Sequence, residues 1–282
     1  MDYFEFSAPD FSFAFLSILL EGIPFVLLGT LLSGVIDAFL PSRLMTRMLP
    51  RNPALAVLAS GGMGLIFPMC ECGIVPVIRR LIRKGLPVSC GIAYMLAAPI
   101  VNPVVIISTY AAFKGQDAAL MTSFRVGLGF TVAVVVAMLA GRFATSRILK
   151  PGVLARDHDH EHEPVATSDF LDVAMYLVIG AGITAVFNTA VNQSLILPLA
   201  FNLPLAIGSL MGLAGILSLC STSDAFIAAT FIAFPAAAKL AFLVFGPMMD
   251  LKLVFLYSYV FRKRCVALLA VALFVLVGLM CW

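Results

Sequence analysis

Apolar runs long enough to cross a bilayer recur from one end of the chain to the other, separated by short polar and basic clusters. The first covers Phe11 to Leu40 and is interrupted by Glu21, Pro24 and Asp37. The second starts at Pro53, passes through FPMCECGIVP (Phe67 to Pro76) and ends in Arg79, Arg80, Arg83 and Lys84. Leu86 to Phe113 and Thr122 to Ala140 follow, and then a plainly aqueous segment, RFATSRILKPGVLARDHDHEHEPVATSD. The pattern resumes with Phe170 to Ala190, Leu195 to Phe234, Ala236 to Val260 and Val266 to Trp282. Backbone polar groups in hydrocarbon must bond within their own segment, which apolar runs of this length achieve as helices. The pattern predicts an all-α, polytopic membrane protein.

Composition agrees. Hydrophobic residues make up 62% of the 282 positions and charged residues 12%, where a soluble domain carries about a quarter charged. Mean hydropathy is +1.07. A secreted precursor would be apolar only near its start, and the opening MDYFEFSAPD has no basic region. The net charge of +3 sits in clusters between apolar runs, which speaks to membrane topology and not to nucleic acid. Of six cysteines, Cys70, Cys72, Cys90 and Cys220 lie in or beside apolar runs, so no disulfide framework is expected.

The two halves resemble each other. Glu21 and Asp172 are 151 positions apart, as are Gly29 and Gly180. GLIFPMCECG matches GILSLCSTSD with Cys70 and Cys220 at offset 150, and APIVNP matches GPMMDL with Asn102 and Asp250 at offset 148. Four matches in order at nearly one offset indicate an internal duplication. Placing the basic clusters on the cytoplasmic side makes Pro53 to Lys84 and Leu195 to Phe234 doubled-back segments, and turns the second half upside down relative to the first. Inverted repeats with apolar segments broken at matching positions are a transporter architecture. The expected organisation is a first transmembrane repeat over 1–144, a cytoplasmic His- and acid-rich linker over 145–169, and a second repeat over 170–282.

Candidate chemistry gathers at the breaks. Pro68, Gly73 and Pro76 are each expected to interrupt a helix, and irregular backbone at membrane depth is tolerated where it is buried in protein or lines a wet cavity. Glu71 between Cys70 and Cys72 needs a partner or water there. The second half offers Cys220, Ser221, Thr222, Ser223 and Asp224 at the same relative place. Thiols suit soft metals and metalloids, and carboxylates add negative charge; a lone buried cysteine is also a common small hydrophobe. Asn102 and Asp250 mark a second pair of breaks, where a simple kink is the plainer alternative. Glu21, about ten residues into its run, and Glu71 are candidate proton relays, whereas Asp172 lies near an interface. His158, His160 and His162 alternate with acids in DHDHEHE, a pattern for weak, labile metal binding or for a solvated linker. The chain contains no GxxxxGK[ST] loop, so energy would come from an ion gradient, another protein or the substrate's own gradient. No cofactor and no enzymatic activity are expected.

FPMCECGIVPVIRRLIRKGLPVSCGIAYMLAAPIVNPVV resembles the signature region of a family of predicted bacterial permeases that includes the organoarsenical efflux permease. The resemblance covers most of the chain, best at Pro68 to Pro76, Pro99 to Pro103 and Gly246 to Asp250. It implies a multi-pass inner-membrane permease of roughly eight transmembrane helices with a functional cysteine, for which Cys70 and Cys72 are the candidates. Relatives with a histidine-rich central loop are described as divalent copper or zinc exporters, and His158 to His162 is similar to that feature. Glu71 departs from the small or neutral residue expected in arsenical exporters and gives weight to a cation. The expected function is export of a soft metal or metalloid species, a trivalent arsenical or a Cu/Zn-like cation. Cys70, Glu71, Cys72, Asn102, Cys220, Ser221, Asp224 and Asp250 would line the path. Thiols that lose protons on loading offer a route to proton antiport. The alternative from another class is a membrane thiol redox protein that cycles the Cys70–Cys72 pair.

Overall fold

A computed structural model of the chain describes residues 8–39, 50, 52–151, 165–190 and 202–282. The described elements are helical: α1 (Ala8–Phe39), α2 (Pro53–Gly62), a 3-10 turn (Met63–Leu65), α3 (Ile74–Arg83), α4 (Val88–Val101), α5 (Pro103–Ala112), α6 (Ala118–Ala140), α7 (Thr145–Ile148), α8 (Val165–Ala190), α9 (Leu203–Leu217), α10 (Asp224–Thr230), α11 (Ala236–Met248), α12 (Leu251–Val260) and α13 (Lys263–Cys281). One order occurs twice. A long helix, a short helix, an irregular break, a second short helix, a long run split in two and a final long helix are read as α1 to α6 and again as α8 to α13.

Helix limits follow from local chemistry. Asn52 accepts a bond from the Ala54 N–H at 3.1 Å, with Pro53 in the first turn, and so starts α2. Asn102 does the same for α5, accepting from Val104 N–H at 2.9 Å. Pro103 lacks an N–H and holds Asn102 extended at ψ 127°, so the run Leu86 to Phe113 is split where the sequence suggested. Asp250 is the counterpart in the second run. Its Oδ1 accepts from Leu253 N–H at 2.7 Å and starts α12.

Among the described residues, six helical spans are long and apolar enough to cross a membrane: Ala8–Ile36, Val88–Ala112, Ala118–Ala140, Phe170–Phe187, Ala236–Val260 and Lys263–Cys281. This is fewer than the expected eight. Pro53–Leu65 and Leu203–Leu217 are apolar but shorter. At 1.5 Å per residue they reach roughly 20 Å, less than the roughly 30 Å hydrocarbon thickness. The two split spans form the centre, each with 78% of its apolar window buried, whereas α1 has 11%. α4 packs on α2 and α6, α11 on α9 and α13, and α11 touches both α4 and α6. α1 packs against α8, and α8 against α12. Exposed Phe13, Leu16, Leu20, Leu28 and Leu31 give α1 a face suited to lipid.

Basic clusters meet at one end. Arg79 donates to the Tyr259 hydroxyl and lies 4.5 Å over its ring, Tyr259 donates to Asp172 at 3.4 Å, and Lys84 reaches the Ile36 carbonyl at 2.9 Å. Asp172 is therefore held at the C-terminal end of α12, through a tyrosine that α3 also contacts. The segment after α7 pairs with the α12–α13 corner through an antiparallel Leu149–Phe261 bridge. Lys150 N–H bonds to Val260 O at 3.1 Å, and Arg262 N–H to Ile148 O at 2.9 Å.

Candidate functional site

Of the two pairs of breaks in the membrane runs, the structure brings together the pair that carries the cysteines. The first runs from Ile66 to Gly73, between the 3-10 turn and α3. It is pressed against α1. A Cβ on Gly73 would lie 2.6 Å from Phe25 O, and one on Gly29 would collide with Gly73 O. Only glycine allows these backbones to touch. The second break runs from Ser218 to Ser223. Ser218 takes a left-handed conformation, φ 48°, at the C-terminus of α9, which ends the helix where a glycine more often stands.

Each break uses its cysteine to start the next short helix. Cys70 O accepts from Ile74 N–H at 3.3 Å, and Cys220 O from Asp224 N–H at 3.0 Å. Gly73 N–H points at Cys70 Sγ at 3.4 Å, and Thr222 Oγ1 at Cys220 Sγ at 3.5 Å. All six cysteines are free thiols. Cys72 is buried beside Cys70, within side-chain hydrogen-bonding reach of it.

Between the breaks lies a continuous buried polar chain. Ser221 Oγ donates to Glu71 Oε2 at 3.3 Å, joining one break to the other. Lys252, in the first turn of α12, donates to Glu71 Oε1 at 3.2 Å and to Ser218 O at 3.1 Å, and lies 3.7 Å from Asp250 Oδ2. Its ammonium is also within electrostatic reach of Cys72 and Cys220. On the other side, Arg125 of α6 grips both oxygens of Asp224 at 3.0 and 2.8 Å, the Ser221 carbonyl at 3.0 Å and Thr109 Oγ1 at 2.7 Å. The order is Asp250, Lys252, Glu71, Ser221, Arg125, Asp224. The exposures of the charged members are 2%, 4%, 1%, 1% and 3% in that order, so each charge depends on its protein partners and not on bulk water. With every group in its ordinary ionisation state, three acids face two bases, a net charge of minus one.

Glu71, Ser221, Asp224 and Asp250 thus stand in one network, with Cys70, Cys72 and Cys220 next to it. Asn102 is buried and serves as the cap of α5; its helix reaches the network two turns later through Thr109. Glu21 sits on an exposed face of α1, within electrostatic reach of Cys220. His158, His160 and His162 lie outside the described residues. Among the described residues, no group of three or more His, Cys, Asp or Glu side chains is placed to hold a metal ion. Sequence reasoning missed Arg125 and Lys252. Their signal was present, because each is a base inside an apolar run and an intramembrane base needs a partner as much as an acid does.

The family model described as "Predicted permease" (ArsP_1) matches residues 10–281. The chain is 40% identical over 278 residues to the UPF0718 protein YcgR of Bacillus subtilis strain 168, covering 93% of this chain and 92% of that protein. It is 34% identical over 262 residues to a "putative two-component membrane permease complex subunit" of Streptococcus mutans serotype c, covering 89% and 86%. No solved structure matches it. Six membrane-length helical spans among the described residues, broken about a buried polar chain, and a family match over nearly the whole length agree: the chain is a multi-pass protein of the bacterial inner (plasma) membrane and belongs to the predicted-permease family ArsP_1.

Proposed function

We propose that this permease exports a soft metal or metalloid species by alternating access, with the substrate held by thiols where the two breaks meet. The observation that carries the reading is the Glu71–Ser221 contact. These residues are 150 positions apart, the same offset that relates Cys70 to Cys220. Equivalent positions of the two halves therefore touch, as an inverted pair of repeats over 1–144 and 170–282, joined by a linker over 145–169, would require. On this reading the shorter α2–α3 and α9–α10 segments are the doubled-back parts between the long spans.

The electrostatics favour one end of the substrate range. Glu71 and Asp224 already have counter-charges in Lys252 and Arg125. A divalent cation would have to displace Lys252 from Glu71 to use that carboxylate. An uncharged, thiophilic species such as a trivalent arsenical needs only thiols, and Cys70 and Cys72 lie side by side. Thiols release protons as they ligate; Glu71 lies within electrostatic reach of Cys72 and Cys220, and Glu21 within reach of Cys220, which gives proton antiport a route.

Everted vesicles loaded with the wild-type chain should accumulate trivalent arsenicals, and Cys72→Ser should abolish accumulation while Cys90→Ser leaves it intact. Unchanged transport by Cys72→Ser would remove the thiol role. Uptake of Cu, Zn or Cd but of no arsenical would replace the neutral substrate with a cation. The adjacent thiols also favour a second reading, a reversible Cys70–Cys72 disulfide in a redox carrier. Transport that persists under full reduction excludes it.

A further inference from the structure

Away from the polar chain, a cavity of about 640 Å³ opens between α4, α6, α7 and α13. Its walls are apolar and include Ile92, Val136, Leu139, Phe143, Leu268 and Ala272. Its lining also contains Arg147, Arg262 and Arg264, and no acidic residue among those described. The three arginines are exposed. They are sorted to one end of the cavity, because α6 arrives there by its C-terminus and α13 starts there. From Arg264 to Ala272 is eight helical residues, or about 12 Å of depth. One leaflet of hydrocarbon is about 15 Å deep. Both flanking helices are membrane spans, so a basic rim over an apolar slot lies at the membrane surface, on the side where positive-inside placement puts the cytoplasm.

We propose that this slot binds an anionic phospholipid, with its phosphate on Arg147, Arg262 and Arg264 and one acyl chain between α6 and α13. Guanidinium forks match phosphate oxygens. The triple positive rim with no acid favours a headgroup of net negative charge over a zwitterionic one, whose ammonium it repels. The site also joins the two halves. Arg262 donates from Nε to Leu149 O at 3.0 Å, next to the Leu149–Phe261 bridge, so a bound lipid would clamp the segment after α7 to the start of α13.

The test uses the full chain purified in a neutral detergent, with thermal unfolding followed as phosphatidylglycerol, phosphatidylcholine or inorganic phosphate is titrated. Phosphatidylglycerol should raise the midpoint saturably, phosphatidylcholine should do so much less, and phosphate should do nothing. In Arg147→Gln/Arg264→Gln the apparent affinity should fall about 25-fold, about five-fold per arginine removed. Ala272→Phe, which fills the slot, should abolish the response. If Ala272→Phe does not fold, the two exposed arginine substitutions still give the readout. Equal responses to both lipids, wild-type affinity in the arginine variant, or an equal shift with phosphate alone would each overturn the proposal. None of these readouts depends on which solute is transported.

Discussion

Replacing Lys252 with methionine isolates the centre of the polar chain. The side chain keeps its unbranched stem, one atom shorter, and loses its charge, while Glu71 and Asp250 stay buried. At an effective dielectric constant of 20, unit charges at the observed 3.2 and 3.7 Å attract by roughly 5 and 4.5 kcal/mol. Lysine's own desolvation offsets several kcal/mol of that sum, and removal of one partner from a buried pair costs about 3–5 kcal/mol. A loss of about 3 kcal/mol shifts the folding equilibrium more than 100-fold. Unfolding in mixed micelles titrated with sodium dodecyl sulfate, followed by helical circular dichroism, reads that shift. The double substitution Lys252→Met/Glu71→Gln removes one of the stranded charges and should recover at least half of the loss, because Asp250 keeps its bond from Leu253 N–H. If Lys252→Met falls within about 1 kcal/mol of wild type, or if the double variant is no better than the single one, the pairing does not hold the breaks together.

Arg125→Gln should destabilise by a similar 3–5 kcal/mol, because it strands Asp224, and Arg125→Gln/Asp224→Asn should be milder in the same unfolding assay. Arg125→Lys should not rescue fully, since an ammonium cannot reproduce the fork to both Asp224 oxygens, Thr109 and the Ser221 carbonyl. Gly73→Ala should lower stability by about 1–3 kcal/mol, the cost of overpacking against Phe25 O; cysteine-accessibility labelling should then show Cys72 more reactive as the break pulls away from α1.

Much of the fold was legible because it rests on local chemistry. The apolar runs gave the spans, Asn-Pro at 102–103 gave the split of one long run, and the GPMMD motif gave its partner at Asp250. The count of full spans was less legible. The apolar run from Pro53 continues into the break with no drop in hydropathy, and only the short length of α2 and the irregular backbone after Leu65 show that it stops early. At the site, the acids and thiols could be named from their position in apolar runs, yet their partners could not. Glu71 and Lys252 are 181 residues apart and Arg125 and Asp224 are 99 apart, and no local spacing encodes either pair.

The likeness of the two halves itself hid those partners. Comparing halves finds like residues at like places: Cys70 with Cys220, Gly29 with Gly180, Asn102 with Asp250. An ion pair needs unlike residues. At the offset that aligns Asn102 with Asp250, Lys252 falls on Val104; at the offset of the cysteines, Glu71 falls on Ser221 and Asp224 on Ile74. The backbone plan repeats and the charges do not. This difference has a consequence for an alternating-access cycle. If two inverted halves were identical, the inward- and outward-open forms would exchange roles and have equal energy. Here Lys252 of the second half neutralises Glu71 of the first, and Arg125 of the first neutralises Asp224 of the second. In the proposed cycle these two different ion pairs would cross between the repeats, and opening on either side would strain them unequally. The resting population would then be set by which pair yields first, with each 1.4 kcal/mol of difference worth ten-fold. Arg125→Gln/Asp224→Asn and Lys252→Met/Glu71→Gln should therefore shift cysteine accessibility on the two faces of the membrane in opposite directions. If both double variants shift it the same way, the two pairs do not act as opposing latches.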